Sequence, residues 1–162
     1  MEDLKKQVEE QLDKLELKYN VNEEKKRFEL DITMHNVTVS INLIYDEIDM
    51  RLFNISCLTF NLPKERTSAI LNKINEIHST SFYQAYLYLS PEDCCLAAQS
   101  MIDVPESGID ESVFAKFLFS TCIILDEKYF DIMKVAFGPT NDVTDDFISK
   151  KTDTNKEKQI LN

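Results

Sequence analysis

The chain has 162 residues, 43% of them hydrophobic, which is the size and composition of one domain with a substantial core. Its 29 acidic residues outnumber its 18 Lys and Arg residues, so the formal net charge is −11. This charge disfavours binding to nucleic-acid phosphates and to anionic membranes, and it predicts partners that are proteins.

Features that are absent from the sequence limit the possible localisation of the protein and its ability to bind a metal. It contains no uninterrupted apolar segment near the N-terminus and no apolar run of the about 20 residues that a membrane span needs. The four cysteines have no C-x-x-C spacing, and His35 and His78 are the only histidines. We therefore expect a cytoplasmic protein whose cysteines are reduced core residues, with a zinc site or a functional disulfide as the less favoured alternatives.

The first predicted element is an amphipathic helix over residues 3–19, followed by a stop and a turn at Asn20-Val21-Asn22. Its apolar residues recur every three or four positions, at Leu4, Val8, Leu12, Leu15 and Tyr19. Apolar and polar residues then alternate over residues 27–34 and 37–45, which predicts two strands joined by a short turn at His35-Asn36.

Residues 48–60 form a third β-rich run with an irregular pattern. Its apolar residues begin at even positions, up to Leu52, and continue at odd positions from Phe53 to Ile55 and Cys57. Either a bulge shifts the register here or the strand is buried on both faces. The short turns between the three strands predict an antiparallel meander.

In the second half of the chain, the spacing of the apolar residues again changes between that of a helix and that of a strand. A helix is predicted over residues 64–78, strands over 82–89 and 94–101, and a helix over 112–137 with a candidate break at Asp126-Glu127. Gly138-Pro139 ends that helix, and the polar residues 139–162 predict a mobile or loosely helical tail. The predicted fold class is α+β: one domain over residues 1–138, with a five-stranded antiparallel sheet covered by helices.

The order α-β-β-β-α-β-β-α resembles the fold shared by type III secretion chaperones and the YbjN family of bacterial proteins. The resemblance covers residues 3–137. It rests on the apolar–Asn helix Ile70-Leu71-Asn72-Lys73-Ile74-Asn75, the aromatic strand that follows it, the acidic turn Ser90-Pro91-Glu92-Asp93, and the acidic start of the last helix, Ile109-Asp110-Glu111.

The resemblance implies a non-enzymatic protein, commonly a homodimer, that holds other polypeptides or regulates through contacts. We accordingly expect a chaperone-like or regulatory protein-binding homodimer with a protein client or partner. The alternative is an interaction or sensory module that binds a small ligand.

The residues themselves agree with the absence of catalysis. No Gly-rich phosphate loop, serine-hydrolase elbow or H-E-x-x-H motif occurs, and the clustered carboxylates lack the spacing of a Ca²⁺ loop. Turns and helix starts account for those carboxylates, so we predict no catalytic residue, no metal site and no cofactor.

Two groups of residues are candidates for contacting a partner. Asn72, Asn75 and His78 lie three positions apart on one helical face, which is either a solvated face or a surface for a dimer or client. In the aromatic strand, Phe82, Tyr86 and Tyr88 are expected to face away from the helices. They are interpreted either as cross-strand packing or as a protein-binding face, because the acidic charge argues against stacking on nucleic acid.

Overall fold

The structure is a computed structural model that describes residues 3–139. In this part of the chain it has three helices: α1 (Leu4–Lys14), α2 (Thr67–Thr80, after a 3₁₀ turn at Lys64–Arg66) and α3 (Glu111–Phe137). It has six strands: β1 (Asn20–Asn22), β2 (Arg27–Thr33), β3 (Thr38–Asp46), β4 (Arg51–Asn61), β5 (Tyr86–Leu89) and β6 (Cys95–Asp103).

The strands form one antiparallel sheet in the order β1-β2-β3-β4-β6-β5, so the predicted α+β class and the β2-β3-β4 meander are confirmed. The predicted number of five strands is wrong by one. The additional strand is β1, in which Val21 pairs with Phe28 of β2 where the sequence predicted only a turn.

The helix α1 is shorter than predicted because its C-terminus adopts a left-handed cap. Glu16 has a φ of 56°, and the N–H of Leu17 donates to the carbonyl of Leu12. This pattern satisfies the last carbonyls of the helix and ends it, so Tyr19 lies outside α1 on the approach to β1.

All three helices pack on one face of the sheet, which we call the helix face. Strand residues of one parity point into it, and the core that they form with the helices includes Phe28, Leu43, Leu52, Ile70 and Phe114. The opposite face, which we call the open face, carries the residues of the other parity. The described residues place no helix on it.

The helix α3 runs without a break through Asp126, where the sequence offered a candidate interruption. The carboxylate of Asp126 is buried, and it accepts a hydrogen bond of 2.6 Å from the backbone N–H of Asn36 in the β2–β3 turn. The Asn36 side chain also donates to the backbone carbonyl of Asp126. These hydrogen bonds compensate for the burial of an acidic residue inside the helix, and they attach the β2–β3 turn to α3.

Residues 140–162, which hold nearly all of the predicted tail, lie outside the described residues. Among residues 3–139 there is no helix with the length and apolar character that crossing a membrane requires.

Candidate protein-binding surface

The irregular pattern of β4 is explained by polar residues on its helix face. Asn54 is fully buried there, and its amide donates to the carbonyl of Leu118 at 2.9 Å, to the Thr121 hydroxyl at 2.9 Å and to the carbonyl of Phe117 at 3.3 Å. Ser56 is the next residue on the same face. Polar side chains thus face α3, and the apolar side chains between them face outward.

Hydroxyl groups extend this buried polar contact beneath α3. The Ser56 hydroxyl donates to the Asn54 side-chain oxygen at 2.9 Å and lies 2.7 Å from the Thr121 hydroxyl. The Ser120 hydroxyl donates to the Ser100 hydroxyl of β6 at 3.2 Å. We call these five residues the buried polar cluster. Its hydrogen bonds tie α3 directly to β4 and β6, the two strands that lie below it.

The strand is partly buried on both faces, which was one of the two predicted explanations. Phe53, Ile55 and Cys57 are half-buried although they point to the open face. An irregularity in the register also exists, but it falls later, between Cys57 and Asn61. The change of apolar parity at Phe53 therefore reflects polar residues on the helix face and apolar residues on the open face, and not a shift of register.

The outward-facing residues form an apolar surface across β3, β4, β6 and β5. The register aligns Ile44 with Phe53 and Met101, and it aligns Ile55 with Gln99 and Tyr86. Tyr86 and Met101 are 65% and 51% exposed. We call the apolar residues of these two rows the open-face patch: Ile44, Phe53, Ile55, Tyr86 and Met101.

A cavity of about 690 Å³ opens on the open-face patch, and Gln84, Gln99 and Ser100 complete its lining. This volume is within the usual range for small-ligand sites. The lining contains no charged side chain, so the cavity favours an apolar occupant.

The β2 side of the open face is charged. The Arg27 guanidinium donates to the Glu29 carboxylate at 2.6 Å, and this hydrogen bond holds the pKa of Glu29 below its usual value. Farther along, the Ser40 hydroxyl donates to Asp31. The open face is thus divided into a charged half over β2 and an apolar half over β4, β6 and β5.

His78, a predicted contact residue, has a structural role. Its Nε2–H donates to the carbonyl of Leu87 at 3.0 Å, and its ring lies 5.8 Å from the ring of Tyr86. Because a carbonyl only accepts, this contact selects the tautomer with the proton on Nε2. His78 thereby joins α2 to the outer edge of β5. Asn72 and Asn75 are exposed on α2.

The aromatic residues of the second candidate group differ in their exposure to solvent. Phe82 is fully exposed and precedes the strand, since β5 begins at Tyr86 and not at residue 82. Tyr88 is half-buried on the open face, and burial raises the pKa of its phenol. The chain before β5 turns toward α3, where the Tyr83 hydroxyl donates to Glu127 at 2.5 Å.

Sequence reasoning did not select Ile44, Phe53, Ile55 and Met101, which form most of the open-face patch. The signal that could have identified them is the change of parity after Leu52. It places Phe53 and Ile55 on the face of β4 that is opposite to its core-facing residues.

The four cysteines are buried or half-buried. All four are free, and burial raises the pKa of Cys95 to about 12 and that of Cys122 to about 11. Thiols of such high pKa are poor nucleophiles at neutral pH. Within residues 3–139, no group of three or more His, Cys, Asp or Glu side chains has an arrangement that could hold a metal ion.

The sequence matches no protein-family model and no curated protein, but the fold is similar to solved structures. YbjN from E. coli has a TM-score of 0.56 at 12% identity, over 78% of this chain and 92% of YbjN. A chain of the ExsC–ExsE complex has a TM-score of 0.55 at 12% identity, over 83% of this chain and 95% of that one. A chain of the HopA1–SchA chaperone–effector complex has a TM-score of 0.50 at 12% identity, over 78% of this chain and 92% of that one. The chain therefore has the YbjN and type III secretion chaperone-like fold that its order of elements predicted.

Proposed function

We propose that the protein is a non-enzymatic, chaperone-like or regulatory protein that binds other polypeptides and acts as a homodimer. The observation that carries this proposal is the open-face patch. Its apolar side chains, with Tyr86 and Met101 more than half exposed, lie on a sheet face that no helix of residues 3–139 covers. An apolar patch in this position is characteristic of a surface that a partner buries.

The solved structures with a similar fold and the net charge of the chain support the same proposal. Two of the three are complexes of proteins, and one of these is a chaperone–effector complex. The net charge of −11 favours a partner that is basic or carries basic segments. We assign the contacts to the open-face patch together with the predicted residues on α2 and near β5: Asn72, Asn75, His78, Phe82, Tyr86 and Tyr88.

Two measurements test this proposal. Size-exclusion chromatography with light scattering is expected to give a dimer, and a monomer at all concentrations would contradict the homodimer. A pull-down from native lysate with mass spectrometry is expected to retain a polypeptide with the unmodified protein and to lose it with Phe53→Lys. Val21→Lys, an exposed apolar residue at the far edge of the sheet, is the matched control and is expected to retain it.

The cavity on the open-face patch favours a second candidate, an interaction or sensory module that binds a small apolar ligand. Native mass spectrometry of the purified protein distinguishes the two. A bound small molecule that Phe53→Lys removes would support the ligand module, whereas a retained polypeptide supports the protein-binding role.

A further inference from the structure

The outward side of α3 carries a line of large apolar residues. Ile123, Phe130 and Phe137 are between 41% and 59% exposed, and they recur every seven residues. Because seven residues make almost two turns of a helix, the three side chains leave α3 in nearly the same direction. We call these three residues the α3 stripe. The stripe is about 21 Å long, since each residue adds about 1.5 Å to a helix.

The α3 stripe is distinct from the open-face patch. The buried side of α3, which includes Phe117 and Leu118, packs against the helix face of the sheet. The stripe therefore points away from the sheet, and the open-face patch lies on the far side of the molecule. Three large exposed apolar side chains in one line favour an occupant that covers them.

The chain beyond α3 begins at one end of this stripe. The helix ends at Phe137, and Gly138 has an extended conformation with a ψ of 169°, so the backbone leaves the helical path there. The Arg66 guanidinium donates to the carbonyl of Gly138, which fixes this point of the chain beside the 3₁₀ turn before α2. We call residues 140–162 the C-terminal segment. Its 23 residues therefore start next to the last residue of the α3 stripe.

The apolar residues of the C-terminal segment are concentrated near its start. Val143, Phe147 and Ile148 are three of its five apolar residues, and the first two have the spacing of one helical face. If the chain reverses over residues 138–141, the connection has the usual length for two antiparallel helices. Equal rise in the two helices then brings Val143 beside Phe137 and places Phe147 between Phe137 and Phe130.

The charges of the two elements are complementary in the same arrangement. Asp145-Asp146 precedes Phe147 and comes opposite Lys134, an exposed residue between Phe130 and Phe137. Lys150-Lys151 follows Phe147 and comes opposite the exposed Glu127. Unlike charges therefore meet at two places along α3, which favours this register of the C-terminal segment.

The covalent connection also favours the C-terminal segment over a separate polypeptide. A tethered segment of this length is present at its target at an effective concentration on the order of mM. A contact that is too weak to hold a separate peptide is therefore occupied for most of the time. Any other occupant of the α3 stripe has to compete with it.

We propose that the C-terminal segment turns back antiparallel to α3 and covers the α3 stripe. Val143 and Phe147 pack against Phe137 and Phe130, and Lys134 pairs with the acidic residues that precede Phe147. The contact lies within one chain, so it does not depend on the proposed binding of other polypeptides. It closes the outward side of α3 to partners and directs them to the open-face patch.

The test uses the absence of tryptophan from the chain. Phe147→Trp introduces a single fluorescent reporter into the full-length protein. Its emission maximum is expected at a shorter wavelength than in urea, and its quenching by acrylamide is expected to be at least about threefold weaker than in urea. Emission and quenching equal to those of the unfolded protein would overturn the proposal.

Further substitutions, each combined with Phe147→Trp, locate the contact. Phe130→Asp, in the stripe, is expected to restore the quenching measured in urea, and Lys134→Glu is expected to increase quenching at least about twofold. Leu71→Asp, an exposed apolar residue of α2 that is 42% exposed, is the matched control and is expected to leave quenching unchanged. Circular dichroism identifies any variant that fails to fold, and either of the first two variants alone is sufficient.

The remaining outcomes identify other occupants or other sites. A reporter that stays protected with Phe130→Asp and Lys134→Glu but is released by Phe53→Lys would place the segment on the open face and overturn the proposal. Protection that appears only as the protein concentration rises would identify the segment of a second copy as the occupant and would also overturn it. None of these results affects the lysate pull-down, so this contact and the proposed function can fail separately.

Discussion

Replacing Asn54 with Ala is expected to destabilise the protein by about 3 kcal/mol. The amide makes contacts of 2.9 Å to Leu118, Thr121 and Ser56, and each such bond contributes about 1 kcal/mol net. The Thr121 and Ser56 hydroxyls still bond each other at 2.7 Å, which limits the loss. The small void left by the amide adds to the destabilisation.

Urea unfolding followed by circular dichroism measures this change. Asn42→Ala, on the open face of β3, is the control and is expected to change the free energy of unfolding by less than about 0.5 kcal/mol. The combination of Asn54→Leu, Ser56→Ala and Thr121→Val is expected to recover most of the loss, because no buried polar group of the three remains without a partner. A loss below about 1 kcal/mol for Asn54→Ala would refute the role assigned to the buried polar cluster.

Three further predictions concern single contacts. Asp126→Ala is expected to lower the free energy of unfolding by about 2 kcal/mol in urea, because the buried carboxylate accepts from Asn36 at 2.6 Å; an unchanged midpoint would contradict this. Asp110 caps α3 by accepting hydrogen bonds from the Ser112 hydroxyl and from the N–H groups of Val113 and Ser112, and these bonds lower its pKa, so its contribution is complete above the ordinary Asp pKa and is lost as the pH falls through the lowered value. Asp110→Asn keeps a capping oxygen and is expected to show a smaller decline in melting temperature below about pH 4; a decline equal to that of the unmodified protein would count against the cap. Burial and Glu127 raise the pKa of Tyr83 to about 12, so its contribution is complete below the ordinary Tyr pKa and is lost as the pH rises from that pKa through about 12. Tyr83→Phe is expected to lose less stability than the unmodified protein between about pH 10 and pH 12, and parallel alkaline unfolding curves would contradict this.

Most of the fold was predictable because apolar residues recur every three or four positions in the helices and every second position in the strands. The stripe of α2 residues Ile70, Ile74 and Ile77 is buried, and the alternation in β2 and β3 places Phe28 and Leu43 in the core. The same local signals could not reveal β1. Asn20-Val21-Asn22 has the composition of a turn and becomes a strand only because β2 supplies a partner.

The candidate surface was less predictable, because it depends on which face of each strand the helices cover. Asn54 and Ser56 resemble solvent-facing residues in the sequence, yet hydrogen bonds to α3 make their burial favourable. That arrangement turns Phe53 and Ile55 outward. In the same way, His78 has the spacing of an exposed helical residue, and only the position of β5 gives its ring a carbonyl to bond.

The buried polar cluster also affects how firmly α3 is held above the sheet. Apolar side chains tolerate a small slide of one element over another, whereas the directional bonds from Asn54 to Leu118 and Thr121 do not. The helix α3 is therefore fixed at a set height above β4 and β6 before a partner arrives. A sheet whose supporting helix is already in place loses little conformational entropy when a partner covers its open face, so even a small contact can persist where a pliable surface would release the partner.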